Sequence, residues 1–166
     1  MNLDRVNAWT ADEARAEFRR CCGSARWAET MESLRPYASE AALLDAAERT
    51  WRDLPRIDRL EAFSAHPRIG DLDALRARFA ATADWSAQEQ GGVAGAPEEV
   101  LRGLVEGNRQ YEERFGYLFL VCATGKSAAA MLELLRGRLS NDPDEEIANA
   151  AAEQAAIMRL RLERMG

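Results

Sequence analysis

One histidine, His66, stands in a chain of 166 residues, so imidazole acid/base chemistry has a single address here. Histidine is the side chain whose ordinary pKa lies nearest neutrality, which lets it both give and take a proton at physiological pH. It lies in Ala65-His66-Pro67-Arg68-Ile69-Gly70-Asp71. Pro67 disfavours helical backbone at the residue before it, and Ile57, Leu60 and Phe63 recur upstream at helical spacing. This predicts a histidine presented where a helix gives way to a loop. The same placement also suits a residue that only closes a helix end, so the stretch alone leaves both roles open.

A second stretch, Ser86-Ala87-Gln88-Glu89-Gln90-Gly91-Gly92, gathers a hydroxyl, two amides and a carboxylate before two glycines. Ser86-x-x-Glu89 has the form of a capping box. A helix N-terminus also attracts anions through its free amides, and glycines let a ligand approach the backbone closely. A histidine and a glutamate facing one pocket would form an acid/base pair.

Other motifs fall away on their chemistry. Gly125-Lys126-Ser127 invites a phosphate-loop reading, but Leu120 stands where that motif needs a glycine, and the phosphate cradle is made by glycine-rich backbone. Cys21, Cys22 and Cys122 have no C-x-x-C spacing, and one histidine cannot complete a Cys/His zinc set. No metal is expected. Asp142, Asp144, Glu145 and Glu146 sit where helix-start carboxylates belong.

The elements that must position these groups read as helices. Thr10-x-x-Glu13 is a capping box opening a helix to about Cys22, and Ser24 caps the next. Pro36 stops that one, and Ser39 opens a third carrying Leu43, Ala47 and Trp51. Pro55 opens a fourth ending at His66, and Asp71 or Leu72 to Ala83 is a fifth. Pro97 opens a long helix to about Arg114, broken at Phe115-Gly116. Tyr117 to Ala123 is strongly apolar but has no partner strand, so it is predicted as a buried connector. Helices over Ser127–Leu139 and from Asp142-Pro143 to about Met165 complete the chain, the last with Ile147, Ala151, Ala155, Met158 and Leu162 on one side. The expected fold is all-α, one compact domain over residues 1–166 of about eight packed helices.

Composition narrows the function classes. Apolar residues make up 47% and charged residues 30%, as in globular chains. A net charge of −6 with dispersed basic residues argues against nucleic-acid binding through phosphate neutralisation. No apolar run reaches the roughly 18 residues of a membrane span. Neither a signal-type N-terminus nor a peroxisomal C-terminal tripeptide is seen, so a cytoplasmic protein with reduced thiols is expected.

Four motifs in series carry a resemblance across nearly the whole chain. They are His66-Pro67-Arg68-Ile69-Gly70, then Ser86-x-x-Glu89-Gln90, then Phe115-Gly116-x-x-Phe119-x-Val121-Cys122-Ala123-x-Gly125-Lys126-Ser127, then Arg138-Leu139-x-Asn141. In this order they resemble the OHCU decarboxylases, which act on 2-oxo-4-hydroxy-4-carboxy-5-ureidoimidazoline in urate degradation. The resemblance implies an all-helical, cofactor-free homodimer with a functional link to urate oxidase and hydroxyisourate hydrolase, and (S)-allantoin as product. It implies His66 as catalytic acid/base and Glu89 as its companion. It implies a substrate wall of Pro67, of Ser86, Ala87, Gln88 and Gln90, and of Phe119, Leu120, Val121, Cys122 and Ala123, with Arg138 binding substrate. Two other readings stay open: a non-catalytic helical binding or scaffold domain, and an enzyme acting on a related hydantoin or purine-derived substrate.

Overall fold

The computed structural model describes residues 1–68, 72–73 and 96–165. Among them the regular structure is all α-helical. The helices are α1 (Leu3–Ala8), α2 (Ala11–Cys21), α3 (Ala25–Ser33), α4 (Glu40–Asp53) and α5 (Arg56–Ser64). After them come α6 (Glu98–Phe115), α7 (Ala128–Arg138) and α8 (Pro143–Glu163). The helix expected from Asp71 or Leu72 to Ala83 lies outside the described residues, apart from Leu72 and Asp73.

The starts of four helices are set by the hydroxyl residues read from the sequence. Thr10 accepts from the Glu13 amide while the Glu13 carboxylate takes the Thr10 amide at 2.8 Å, completing the capping box. Ser24, Ser39 and Ser127 accept from Trp27, Ala42 and Ala130 in the same way. Each such bond satisfies a backbone donor that the helix itself leaves unpaired. Gly116, with φ +79°, ends α6 in the left-handed region, which glycine enters without a Cβ clash. Tyr117–Ala123 forms no strand, as expected.

The chain divides into two compact units, residues Met1–His66 with Ala148–Gly166, and Pro67–Ile147. In the first, Phe18 is fully buried, with Trp9, Trp27 and Tyr37 meeting its ring edge-on at 6.0–6.5 Å. The buried indoles find acceptors: Trp27 donates to the Ala47 carbonyl at 3.2 Å and Trp51 to that of Ala151 at 3.0 Å. Aromatic rings thus bury large apolar area without stranding their polar edge. Burial pushes the Cys21 thiol up to about 11 and the Cys22 thiol to about 12, so both stay protonated and act as core side chains. In the second unit, α6 and α7 touch through Gly103 and Gly107. A Cβ at either would lie within 2.8 Å of Leu132 or Leu135. No helix among the described residues is long and apolar enough to cross a membrane.

Candidate active site

His66 lies just past the end of α5, its amide donating to the Phe63 carbonyl at 3.3 Å. The residues around it are fixed from two directions. Glu61 of α5 takes the first free amide of α3, at Ala25, at 3.1 Å, and pairs with Arg19 of α2 at 2.8 Å. Between α2 and α3, Gly23 lets the backbone approach Ala65 so closely that an added Cβ would sit 2.2 Å from the Ala65 Cβ. The peptide before the histidine is therefore held against the α2–α3 turn.

Among the described residues the half-buried imidazole has one side-chain hydrogen-bond partner, Gln154 of α8, whose Oε1 lies 2.5 Å from the ring Nε2. Gln154 is fully buried, and its amide nitrogen has no hydrogen-bond partner among the described residues. A buried amide in that state costs about 1–3 kcal/mol. Burial holds the His66 pKa below its ordinary 6.5; the Gln154 bond opposes this, and the charge of Arg161 on α8 adds to it. The ring is accordingly neutral at pH 7, the form that can accept a proton. Arg161 itself donates to the carbonyls of Arg20 and Cys21 at 3.1 and 3.3 Å.

In the second unit a charged network stands behind the apolar connector. Arg138, near the end of α7, donates from Nε to Glu146 at 2.7 Å, from Nη1 to the Leu120 carbonyl at 2.7 Å, and from Nη2 to the Tyr111 hydroxyl at 3.4 Å. Its guanidinium lies 4.7 Å from the Phe119 ring centre, a cation–π arrangement. Glu146 is fully buried and also receives the Tyr111 hydroxyl and, at 2.8 Å, the Asn141 amide. Burial would raise this carboxyl, but the bonds from Arg138, Tyr111 and Asn141 outweigh it and hold its pKa below the ordinary value. Burial, and then the bond to Glu146, raises the Tyr111 phenol well above its usual range.

The sequence-derived site residues thus fall into three groups. His66 is in the first unit with Gln154. Pro67, exposed, belongs to the second unit, as do buried Phe119 and Leu120 and the half-exposed Val121, Cys122 and Ala123. Ser86, Ala87, Gln88, Glu89 and Gln90 lie outside the described residues. Arg138, expected to meet substrate, has donors from all three guanidinium nitrogens on protein acceptors. Glu146 lies in the first turn of α8, as read, and is also the buried counter-ion of Arg138; Asp142, just before the helix, accepts the Asp144 amide at 2.9 Å. The glycine of Gly125-Lys126-Ser127 lies in a turn with φ +74°, and Ser127 caps α7. Lys126 donates to the Cys122 carbonyl at 2.8 Å, which ties down the end of the connector.

Gln154 and Arg161 were not picked out by motif. The available signal was a glutamine in the apolar stripe of α8, where Ala151, Met158 and Leu162 are buried.

An all-helical chain with one half-buried neutral histidine has the parts of a general acid/base enzyme. A profile of the OHCU decarboxylase family matches residues 7–163, and the chain belongs to that family. It is 36% identical over 152 residues to the uric acid degradation bifunctional protein TTL of Arabidopsis thaliana, covering 90% of this chain and 46% of that protein. The chain thus spans about half the length of that relative. It is 26% identical to the 2-oxo-4-hydroxy-4-carboxy-5-ureidoimidazoline decarboxylase of Haloferax volcanii, covering 98% and 94% of the two chains. Among solved structures it is similar to an OHCU decarboxylase crystallised in the presence of (S)-allantoin. That match has a TM-score of 0.70 and 32% identity, covering 89% of this chain and 95% of that one.

Proposed function

We propose that this protein decarboxylates 2-oxo-4-hydroxy-4-carboxy-5-ureidoimidazoline to (S)-allantoin in the cytoplasm, as a homodimer, with His66 as acid/base. The match to the family over residues 7–163 carries this reading, and the neutral, buried-side-anchored His66 supports it. The substrate's name states its chemistry: carbon 4 bears both the carboxylate and a hydroxyl, next to a ring C=N. When the bond from carbon 4 to the carboxylate breaks, CO2 leaves and the electron pair moves toward that C=N, whose nitrogen takes a proton from water. The resulting enol loses its hydroxyl proton as carbon 5 gains one on a single face. The substrate supplies its own electron sink, so the protein must orient it and move protons.

A neutral His66 takes the hydroxyl proton and returns a proton to carbon 5. Glu89 orients the imidazole or the substrate hydroxyl. Ser86, Gln88 and Gln90, with backbone groups of Ala87 and of the Phe119–Ala123 connector, bond the ring and ureido edges, which need both donors and acceptors, and Pro67 flanks the ring. Arg138 serves this wall by holding the Leu120 carbonyl. A direct fork from Arg138 to the substrate carboxylate would require it to release a present partner. Bifunctional relatives of urate degradation support a functional link to the enzymes that make this substrate.

The experiment generates the substrate in situ from urate with urate oxidase and hydroxyisourate hydrolase and follows optical activity. Rapid appearance of one allantoin enantiomer supports the reading. Racemic product at the uncatalysed rate, from folded protein, overturns it in favour of a related substrate or a binding domain. Sedimentation of the purified protein tests the dimer.

A further inference from the structure

We propose that Gln154 is a positioning residue that fixes the tautomer of His66, with Nε2 carrying the proton toward the Gln154 carbonyl and Nδ1 left as the nitrogen that exchanges protons. The inference rests on the reading of His66 as the acid/base of the reaction.

Three observations carry it. The contact is direct, Oε1 to Nε2 at 2.5 Å. It is buried on the Gln154 side, where the side chain has no exposure. And the Gln154 amide nitrogen has no partner among the described residues, although a buried polar group without a partner is uncommon. A side chain serving only to fill this stripe of α8 would do so better as an apolar residue. Here an amide accepts an orphaned nitrogen in order to present one oxygen to the imidazole. A neutral imidazole has one donor and one acceptor nitrogen, and the bond made by one nitrogen decides which role is left to the other. With the amide oxygen facing Nε2, that nitrogen must be the donor, and the Nδ1 lone pair is the base. Arg161 is the charged group that acts on the ring from α8, and it favours the neutral state in which the tautomer matters.

The chain has one histidine, so ring-15N labelling of histidine reports His66 alone. In the wild-type protein at pH 7.5 or above, the expected spectrum has a protonated, pyrrole-type Nε2 with a ring proton slow to exchange with water, and a pyridine-type Nδ1. In Gln154→Met, close in volume, the ring proton exchanges rapidly and kcat falls on the order of 10²-fold, at the low end of what general acid/base catalysis supplies, while KM changes little. Gln154→Glu keeps an acceptor at Nε2, so it retains the wild-type tautomer and moves the pH profile of kcat upward. A wild-type ring protonated at Nδ1 would overturn the proposal, as would a Gln154→Met protein with unchanged ring signals and kcat. If Gln154→Met does not fold, the wild-type spectrum and the Gln154→Glu profile decide. The ring signals do not depend on turnover. An inactive wild-type protein with the expected spectrum would sink the decarboxylase reading alone, and an active one with Nδ1 protonated would sink this inference alone.

Discussion

In the second unit Arg138 reaches Glu146, the Leu120 carbonyl and the Tyr111 hydroxyl, while Glu146 receives three side-chain donors. In the first unit His66 and Gln154 share one hydrogen bond, and the Gln154 amide nitrogen has no partner among the described residues. Glu146 and Gln154 are both fully buried on α8, yet the first belongs to a charged, saturated grouping and the second, beside the half-buried His66, to a neutral one with an amide unpaired among the described residues. Saturation is what a structural network requires, because each unmet group in a low-dielectric setting is costly. An unmet group beside a titrating ring makes sense where proton transfer, rather than stability, sets the arrangement. The contrast teaches that the two groupings should fail in different ways: one by unfolding, the other by losing turnover.

Substitutions can break or sharpen that contrast. The largest loss of stability is expected from Glu146→Ala, which strands the Arg138 cation in a buried site. Removing one partner of such a pair costs about 3–5 kcal/mol, read as a lowered midpoint in urea. Thr10→Ala, which removes the capping box of α2 and touches neither grouping, should cost about 0.5–2 kcal/mol by the same denaturation, with kcat unchanged. Gln154→Met should show the opposite pairing to Glu146→Ala. It loses a bond worth about 0.5–1.5 kcal/mol but also removes an unmet amide of comparable or larger cost. Its urea midpoint should therefore hold or rise while turnover falls; a clear drop in midpoint would place Gln154 with the structural group.

The smallest effect is that of pH on stability through His66. Its folded pKa is depressed, so as pH falls below 6.5 the unfolded chain binds a proton before the folded one. The contribution is full above that pH and is lost on acidification, at up to about 1.4 kcal/mol per unit of depression. His66→Ala should flatten this slope between pH 7 and pH 5 in denaturation measurements.

What the sequence made legible follows how local the physics is. The caps at Thr10, Ser24 and Ser39 are bonds spanning three residues, so residue types at fixed offsets reveal them; the same bond at Ser127 marks the residue read as the first of its helix as the cap. The connector over 117–123 was legible because a lone apolar run lacks a strand partner. Helix α1 was missed: it is six residues long, capped by Asn2, and tied down by distant contacts such as Asn2 to the Met165 carbonyl at 3.1 Å. The pairing of His66 with Gln154 spans 88 positions, and no local pattern encodes it. Arg138 and Glu146 are only eight apart, but they lie on two helices, and Glu146 has the sequence setting of a helix-start acid. Only its burial separates it from Asp142 and Asp144.

The central claim is that His66 serves turnover and not the fold. The most direct measurement is the rate of single-enantiomer allantoin formation by His66→Ala, at a concentration of folded protein matched to wild type by helical circular dichroism. The account predicts an unchanged helical signal and a rate at least about 10²-fold lower, the contribution expected of a positioned acid/base group. A folded His66→Ala protein turning over at near the wild-type rate would contradict it and leave the histidine as a helix-end residue.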